Sequence, residues 1–165
     1  SNGIIGGDVE LNQLQEYFMN IATAKVSTSA EEARGLGYLR ASDGISLNRK
    51  RQLADAKAKV ISMSDLGYTQ PVPQRNIKVL GKSALAYFEA GVTGMIYGGY
   101  ISEHDAKIAK KLANVMAGGD LSEPTLVSEQ YLLDIEREAF LSLCTERKTL
   151  ERIQHMLKTG KPLRN

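Results

Sequence analysis

The sequence contains two histidines and one cysteine, side chains that can ligate a transition metal or take part in nucleophilic catalysis. His104 and His155 have no other histidine or cysteine at metal-ligand spacing, so we do not expect a zinc site. His104 lies in the first turn of a predicted helix, where a neutral surface residue is the favoured interpretation. Cys144 lies at the predicted break between the last two helices, near Cys144–Thr145, and Arg147 and Lys148 follow it, whose positive charges would favour a reactive thiolate. A small, buried, hydrophobic side chain is the favoured interpretation of Cys144.

Acidic residues cluster at two places where general acid–base catalysis could be sought, Glu31–Glu32 and the segment 134–138. Such catalysis needs a carboxylate held in an apolar pocket next to the substrate. Nothing in the sequence marks such a pocket at either cluster, so we interpret them as helix caps and solvated helix faces. The glycine pairs that begin at Gly6 and Gly118 lack the strand–glycine–helix context of a phosphate-binding loop. We therefore predict no catalytic residue and no metal ligand in this chain.

The composition is that of one small domain. The 165 residues can bury a real core, and the net charge of +2 is too small to indicate nucleic-acid binding by itself. One cysteine excludes an internal disulfide framework. No apolar run reaches the ~20 residues of a membrane span, and no signal peptide is recognisable. We expect a cytoplasmic protein. Because Ser1–Asn2 resembles the remnant of a cleaved tag, we also expect a piece of a longer protein.

Apolar residues recur at helical spacing in six segments, and each series predicts the buried stripe of an amphipathic helix. The six stripes are Leu11, Leu14, Phe18 and Ile21; Leu53, Ala56, Val60 and Met63; Leu85, Phe88, Val92, Met95 and Ile96; Ile108, Leu112, Val115 and Met116; Leu132, Ile135, Ala139 and Leu143; and Leu150, Ile153 and Leu157. A seventh, short helix is predicted after Ser29. Six or seven helices without a credible set of strands predict a mainly α fold.

Capping residues locate two helix starts. Ser29 with Glu32, and Ser102 with Asp105, each have the spacing of a capping box, in which the hydroxyl and the carboxylate satisfy two backbone N–H groups reciprocally. Gly160 followed by Pro162 marks the end of the last helix.

Three features between the helices bear on packing. Gly91, Gly94 and Gly98 interrupt one predicted helix, and we expect either a close helix crossing or a flexible break there. Residues 76–80 have the composition of a short strand, but no second strand is predicted to pair with it. Residues 120–127 are predicted to form a loop.

Two stretches carry spacing that is typical of a known family. In the first, the matched residues are Ser29, Ala30, Glu32, Ala33, Gly37, Tyr38 and Leu39. In the second, which covers the closing helix pair, the matched residues are Glu136, Phe140, Glu151, Met156, Leu157, Lys161 and Pro162. Together they resemble the C-terminal part of the crotonase (enoyl-CoA hydratase/isomerase) family. The chain departs from the usual family residues at Ala24, Lys25, Arg152, Met156 and Gly160.

The resemblance implies a fold and a division of the chain. It implies a mainly α structure, the helical C-terminal region of a crotonase-like domain with an inserted helical subdomain. Residues 1–67 would form the C-terminal helices of the crotonase-like core, residues 68–127 the inserted helical subdomain, and residues 128–165 the closing crotonase-type helix pair. This arrangement resembles long bacterial proteins that join a 3-hydroxyacyl-CoA dehydrogenase to an enoyl-CoA hydratase unit.

The resemblance also implies a supporting function. In crotonases, two backbone N–H groups polarise the thioester carbonyl, and in hydratases two glutamates add water. These elements precede the part that matches this chain. We therefore expect a C-terminal fragment of a fatty-acid β-oxidation enzyme, inactive by itself, that supports acyl-CoA binding and subunit or domain contacts. Lys161 matches a lysine that contacts CoA, and Lys158 is its neighbour, so both are candidate CoA contacts; solvated tail lysines are the alternative.

The resemblance implies three partners: the upstream crotonase and dehydrogenase regions of the same chain, acyl-CoA, and further copies of the chain in a homo-oligomer. Membrane binding is not expected. The fragment itself would hold no cofactor, and NAD would bind the dehydrogenase region. The alternative is a non-enzymatic helical interaction module with basic faces at Arg49–Lys59, where five cations and one carboxylate give a local charge of +4, and at Lys107–Lys111. A solvated face is the favoured interpretation of the first patch. Because interleaved aromatic residues are missing, nucleic-acid binding is not expected.

Overall fold

The computed structural model describes residues 8–165, and within them the chain forms seven α-helices and two short strands. The predicted mainly α fold is confirmed. In chain order the elements are α1 (Asp8–Ala22), α2 (Ala30–Gly35), a 3₁₀ turn (Arg49–Arg51), α3 (Gln52–Asp65), β1 (Ile77–Val79), α4 (Lys82–Tyr97), α5 (Glu103–Ala117), β2 (Thr125–Val127), α6 (Glu129–Cys144) and α7 (Arg147–Thr159). The chain divides into two compact units, residues 8–23 with 73–165 and residues 24–72.

The larger unit is built around α5, which packs against α1, α4 and α6. Its core joins aromatic and β-branched residues of α1 and α4 to a row of alanines on α5. The buried members are Phe18, Ala84, Phe88, Val92, Ala106, Ala109, Ala113 and Ala117. Phe18 and Phe88 stack with ring centroids 4.7 Å apart. Small residues on one helix let a second helix approach closely, so the alanine face of α5 is the centre of the fold.

The predicted buried face of α5 was therefore partly wrong. Leu112 and Met116 pack at the edge of the core, but the most deeply buried positions are Ala113 and Ala117, which have no exposed surface. The sequence prediction weighted large apolar residues. It missed this face because alanine carries little weight in a hydrophobic pattern but permits the closest helix contact.

The predicted strand does have a partner, inside the segment that was predicted to be a loop. β1 and β2 pair antiparallel in the register Ile77–Val127, Lys78–Leu126 and Val79–Thr125. The turn at the end of α5 lies against this ribbon. Gly118 has φ = 96°, and a β-carbon there would overlap the side chain of Val79. A three-residue strand gives too short a pattern to be paired from sequence alone.

The α4 glycines are neither a helix crossing nor a break. α4 is continuous through Gly91 and Gly94. A β-carbon built on either glycine would have no described atom within 4 Å, apart from its own helix and neighbours. Gly91 and Gly94 therefore lie on an open face of α4, and both predictions for this helix, a close helix crossing and a flexible break, are wrong.

One predicted capping box is confirmed and the other forms differently. Ser102 and Asp105 cap α5 reciprocally. Ser29 accepts a hydrogen bond from the Glu32 N–H, but the Glu32 carboxylate accepts from the backbone N–H and the hydroxyl of Thr28, each at 2.6 Å. These bonds, with Lys25 nearby, lower the pKa of Glu32 despite an opposing contribution from burial.

The smaller unit, residues 24–72, has almost no core of its own. Within these residues, all of which the structure describes, Ala33 is the one buried position. α3 was predicted to bury Leu53, Ala56, Val60 and Met63, but Leu53 is 83% exposed and Val60 is 66% exposed. Met63 alone of the four is partly buried. The prediction of a buried stripe on α3 is therefore wrong for this chain by itself.

α6 and α7 differ in how they use their predicted stripes. The α6 residues Leu132, Ile135, Ala139 and Leu143 are all partly buried, and the helix pair breaks after Cys144 as predicted. On α7, in contrast, Leu157 is 82% exposed. Leu150 is also exposed, Ile153 alone of the predicted stripe is partly buried, and the buried residue of α7 is Thr149, so the inward face of this helix includes polar residues.

The structural units differ from the predicted division of the chain. Residues 73–127 contain α4 and α5, and these helices share a core with α1 and contact α6. The predicted boundaries at 67/68 and 127/128 describe an insertion in a family pattern, and that insertion stays a prediction.

Candidate functional site

The densest polar arrangement in the described residues joins the beginning of α5 to α7. Arg152 of α7 donates from Nη1 to Asp105 of α5 at 2.6 Å. Its Nε and Nη2 donate to the side-chain and backbone oxygens of Asn165, and the Asn165 amide donates to Glu151 at 2.9 Å. The Arg152 and Asp105 side chains are only 18% and 27% exposed. We call these four residues, Asp105, Glu151, Arg152 and Asn165, the α5–α7 junction.

The electrostatics of the junction favour charged Asp105. Burial acts to raise its pKa, but hydrogen bonds from Arg152 and from the backbone and hydroxyl of Ser102 outweigh burial and lower the pKa. The carboxylate therefore has two structural roles, since one oxygen caps α5 and the other binds α7. A carboxylate saturated in this way is not available as a general base.

His104 lies beside this junction and is buried, at 5% exposure, so the predicted surface position is wrong. Its Nε2 lies 3.0 Å from the hydroxyl of Thr149, which is also buried. Burial lowers the pKa of His104, and the positive charges of Arg152, Lys148 and Lys107 lower it further, against a smaller opposing effect of Glu146. The predicted neutral state of His104 is therefore favoured, because a protonated imidazole would be both desolvated and repelled by the nearby cations.

A shallow cleft of about 430 Å³ opens next to His104. Lys107, Lys110 and Lys148 line it together with Glu103 and Glu146, and Ile96 and Ala106 form its apolar floor. Lys107 is ion-paired with Glu146, the N-cap residue of α7. The cleft is therefore weakly cationic. Chemically, it can attract an anionic group but offers no activated nucleophile.

Each of the two units also contains another cavity. The cavity in the smaller unit has a volume of about 660 Å³ and includes Ser46 and Asp55, which are hydrogen-bonded to each other. The cavity in the larger unit, about 400 Å³, is apolar and lies between Phe18, Met19, Tyr87 and Met95. Neither brings together a nucleophile and a base.

The predicted CoA contacts are both at the surface. Lys158 is exposed in the last turn of α7, and Lys161 is exposed directly after the left-handed Gly160. The cationic cleft is lined by lysines other than these two. A role for Lys158 and Lys161 in CoA binding stays a prediction.

The sequence analysis named Asp105 as a helix cap and Glu151 as a family-like position, but it missed that they meet Arg152 and Asn165. Arg152 was noted only as a departure from a family glycine, and Thr149 and Asn165 were not singled out. One signal was present in the sequence. Thr149 and Arg152 lie three positions apart on one side of α7, so a polar face can compete with the apolar stripe for the inward position.

The described residues show neither a cluster of metal ligands nor a helix that could span a membrane. In residues 8–165 no group of three histidine, cysteine or acidic side chains is placed to hold a metal ion. Among the helices of the same part of the chain, none has the length and apolarity that crossing a bilayer requires.

Comparison with known proteins gives one informative similarity. A probable 3-hydroxyacyl-CoA dehydrogenase of Bacillus subtilis (strain 168) is 49% identical to this chain over 164 residues. The match covers 99% of this chain but only 21% of the relative, so the chain spans about a fifth of that protein. No family model matches the chain, and no solved structure matches it.

Proposed function

We propose that this chain is a helical, non-catalytic part of a fatty-acid β-oxidation enzyme that contains a 3-hydroxyacyl-CoA dehydrogenase. The observation that carries the proposal is the 49% identity over 99% of the chain to a probable 3-hydroxyacyl-CoA dehydrogenase. The match covers 21% of that relative, which leaves most of the longer polypeptide for NAD binding and chemistry. In the finer form of the proposal, the chain closes a crotonase-like enoyl-CoA hydratase unit, as the two family-like stretches imply, in a cytoplasmic protein.

The role proposed for the chain is to support acyl-CoA binding and domain or subunit contacts. In support of this role, the polar groups of the α5–α7 junction are hydrogen-bonded to one another, and the neighbouring Thr149 hydroxyl and His104 imidazole, although in hydrogen-bond contact, are both buried. Lys158 and Lys161 are the proposed contacts to CoA phosphates, because an exposed ammonium group suits a phosphate.

The test is a chimaera in which this chain replaces the matching stretch of the B. subtilis relative. We expect the chimaera to oxidise 3-hydroxybutyryl-CoA with NAD and to hydrate crotonyl-CoA, and we expect the 165-residue chain alone to do neither. Absence of dehydrogenase activity from both the relative and the chimaera would overturn the proposal. Absence of hydration alone would remove the crotonase part. Activity of the isolated chain would overturn its non-catalytic role.

A second measurement addresses the two lysines. In the chimaera, Lys158→Met with Lys161→Met is expected to raise KM for the acyl-CoA by about tenfold, which is a loss of ~1.4 kcal/mol, with kcat unchanged. Lys111→Met, on α5, is the matched control and should leave KM unchanged. An unchanged KM in the double variant would show that both are solvated tail lysines.

The alternative function is an interaction module that uses the basic faces. The cleft lined by Lys107, Lys110 and Lys148 is the observation in its favour. This alternative requires binding of an acidic partner or nucleic acid that weakens steeply as salt is raised. Absence of nucleic-acid binding by the isolated chain at low salt would remove the nucleic-acid version.

A further inference from the structure

α3 presents an apolar face to solvent. None of its residues, all within the described part of the chain, is buried. Leu53 is 83% exposed, Val60 is 66% exposed and Ile61 is 51% exposed. These residues, with the exposed Ala56, are referred to as the outer face of α3.

The spacing of this face is that of a buried helix. Leu53, Ala56 and Val60 recur at intervals of three and four residues, the pattern by which a helix covers a neighbouring surface. Asp55 is the α3 residue engaged by side-chain hydrogen bonds within its own unit, where it accepts from Ser46 and Arg51. A continuous exposed apolar surface rimmed by polar groups is typical of an interaction site.

Charge restricts what can cover this face. Arg49, Lys50, Arg51, Lys57 and Lys59 surround it, with Asp55 as the one carboxylate in the same stretch. A two-fold dimer would place the same patch on both sides of the contact and so bring cations against cations, which disfavours pairing. The complementary surface is therefore apolar at its centre and acidic at its rim.

The length of the relative indicates where that surface lies. The stretch that matches this chain is continuous with a polypeptide of which it forms 21%. A unit with a single buried residue and a tethered, much larger neighbour meets that neighbour at high effective concentration. We propose that the outer face of α3 docks on an apolar surface with an acidic rim in the part of the longer polypeptide outside this chain. This inference rests on the proposed function.

Hydrogen–deuterium exchange of the α3 amides tests the contact, because burial of a helix against a partner slows its local opening. The same α3 peptides are compared in the isolated chain and in the chimaera with the B. subtilis relative. We expect at least about tenfold greater protection of residues 56–65 in the chimaera. The variant Leu53→Ala with Val60→Ala should abolish that gain.

The variant design separates docking from helix formation. Alanine is a stronger helix former than either residue it replaces, so a loss of protection in the chimaera would reflect the lost contact. Val72→Ala is the matched control, because Val72 is as exposed as Leu53, at 83%, but lies in the linker outside α3. It should leave protection unchanged.

The outcomes distinguish this inference from the proposed function. An active chimaera with unprotected α3 would overturn the docking contact and leave the function standing. Protected α3 in a chimaera that, like the relative itself, lacks dehydrogenase activity would do the reverse. Protection in the isolated chain that rises with its concentration would indicate a second copy, and protection that requires anionic lipid vesicles would indicate a membrane. Either result would overturn the proposed occupant.

Discussion

Arg152 of α7 and Asp105 of α5 form an ion pair of 2.6 Å in which the same carboxylate also caps the helix that carries it. The two residues are 47 positions apart in the sequence, and both are largely removed from solvent. α7 turns a polar face inward at this point, with Thr149 buried and Leu157 exposed. Hydrogen bonds and charge therefore contribute to the attachment of α7.

Removal of the Arg152 guanidinium should loosen α7. We expect Arg152→Met to lower the free energy of unfolding by about 2 kcal/mol, because Asp105 would keep its charge while losing a charged hydrogen-bond donor. Urea unfolding followed by circular dichroism measures the loss. The matched control is Arg137→Met, since the ion pair of Arg137 with Asp134 is exposed on α6, at 63% and 50%. Such pairs contribute roughly 0–1 kcal/mol. Equal effects of the two substitutions would contradict the role given to the junction.

The buried His104 should make stability depend on pH. Its pKa in the folded protein is lowered, so the unfolded chain binds the proton more readily. The stabilisation is complete above the unfolded pKa of about 6.5 and is lost as pH falls below that value. The lowered pKa of Asp105 acts in the same direction at lower pH, below its unfolded value of about 3.9.

His104→Gln measures the histidine contribution, because glutamine can still bond to Thr149 but does not titrate. Stability of the variant is expected to stay constant between pH 7.5 and about 5.5 while that of the parent chain falls. His155→Gln serves as the control and should preserve the decline. A parent chain equally stable at both ends of that pH range would show that His104 does not titrate on unfolding.

Sequence reasoning succeeded where structure is local. The end of α7 at Gly160, the break after Cys144 and the cap of α5 by Ser102 were all predicted, since each depends on residues within one or two turns. The sequence-based predictions failed where contacts between distant parts of the chain determine the structure. The alanine face of α5 is set by packing against α1 and α4, and the partner of β1 lies more than forty positions away.

The candidate site was less predictable than the fold. His104 was expected at the surface because its position in the first turn of α5 says nothing about α7, which covers it. The junction needs Asp105, Arg152 and Asn165 to meet, and no local pattern encodes such a meeting. The prediction that the α3 stripe is buried is wrong for a different physical reason. The spacing of the stripe specifies burial, but none of the α3 residues is buried.

The aromatic pair in the core should be the most sensitive apolar contact. Phe88 is 2% exposed and stacks on Phe18. We expect Phe88→Ala to destabilise the larger unit by about 3–5 kcal/mol, because the lost ring leaves a cavity between α1 and α4. Tyr97→Ala, at an 88% exposed position of the same helix, should change stability by less than about 0.5 kcal/mol. Thermal unfolding compares the two variants.

Gly94 lies on an open helix face and Gly118 in a crowded turn, so substitution by alanine should change stability in opposite directions at the two positions. Gly94 is inside α4 with open space around it, so Gly94→Ala should stabilise the protein by about 0.5–1 kcal/mol through helix propensity. Gly118 has φ = 96° and lies against Val79, so Gly118→Ala should destabilise it by at least about 1–2 kcal/mol from the left-handed backbone alone. Urea unfolding of both variants measures the difference in sign. A destabilising Gly94→Ala would mean that another helix does approach this face, as the spacing of the three α4 glycines first indicated.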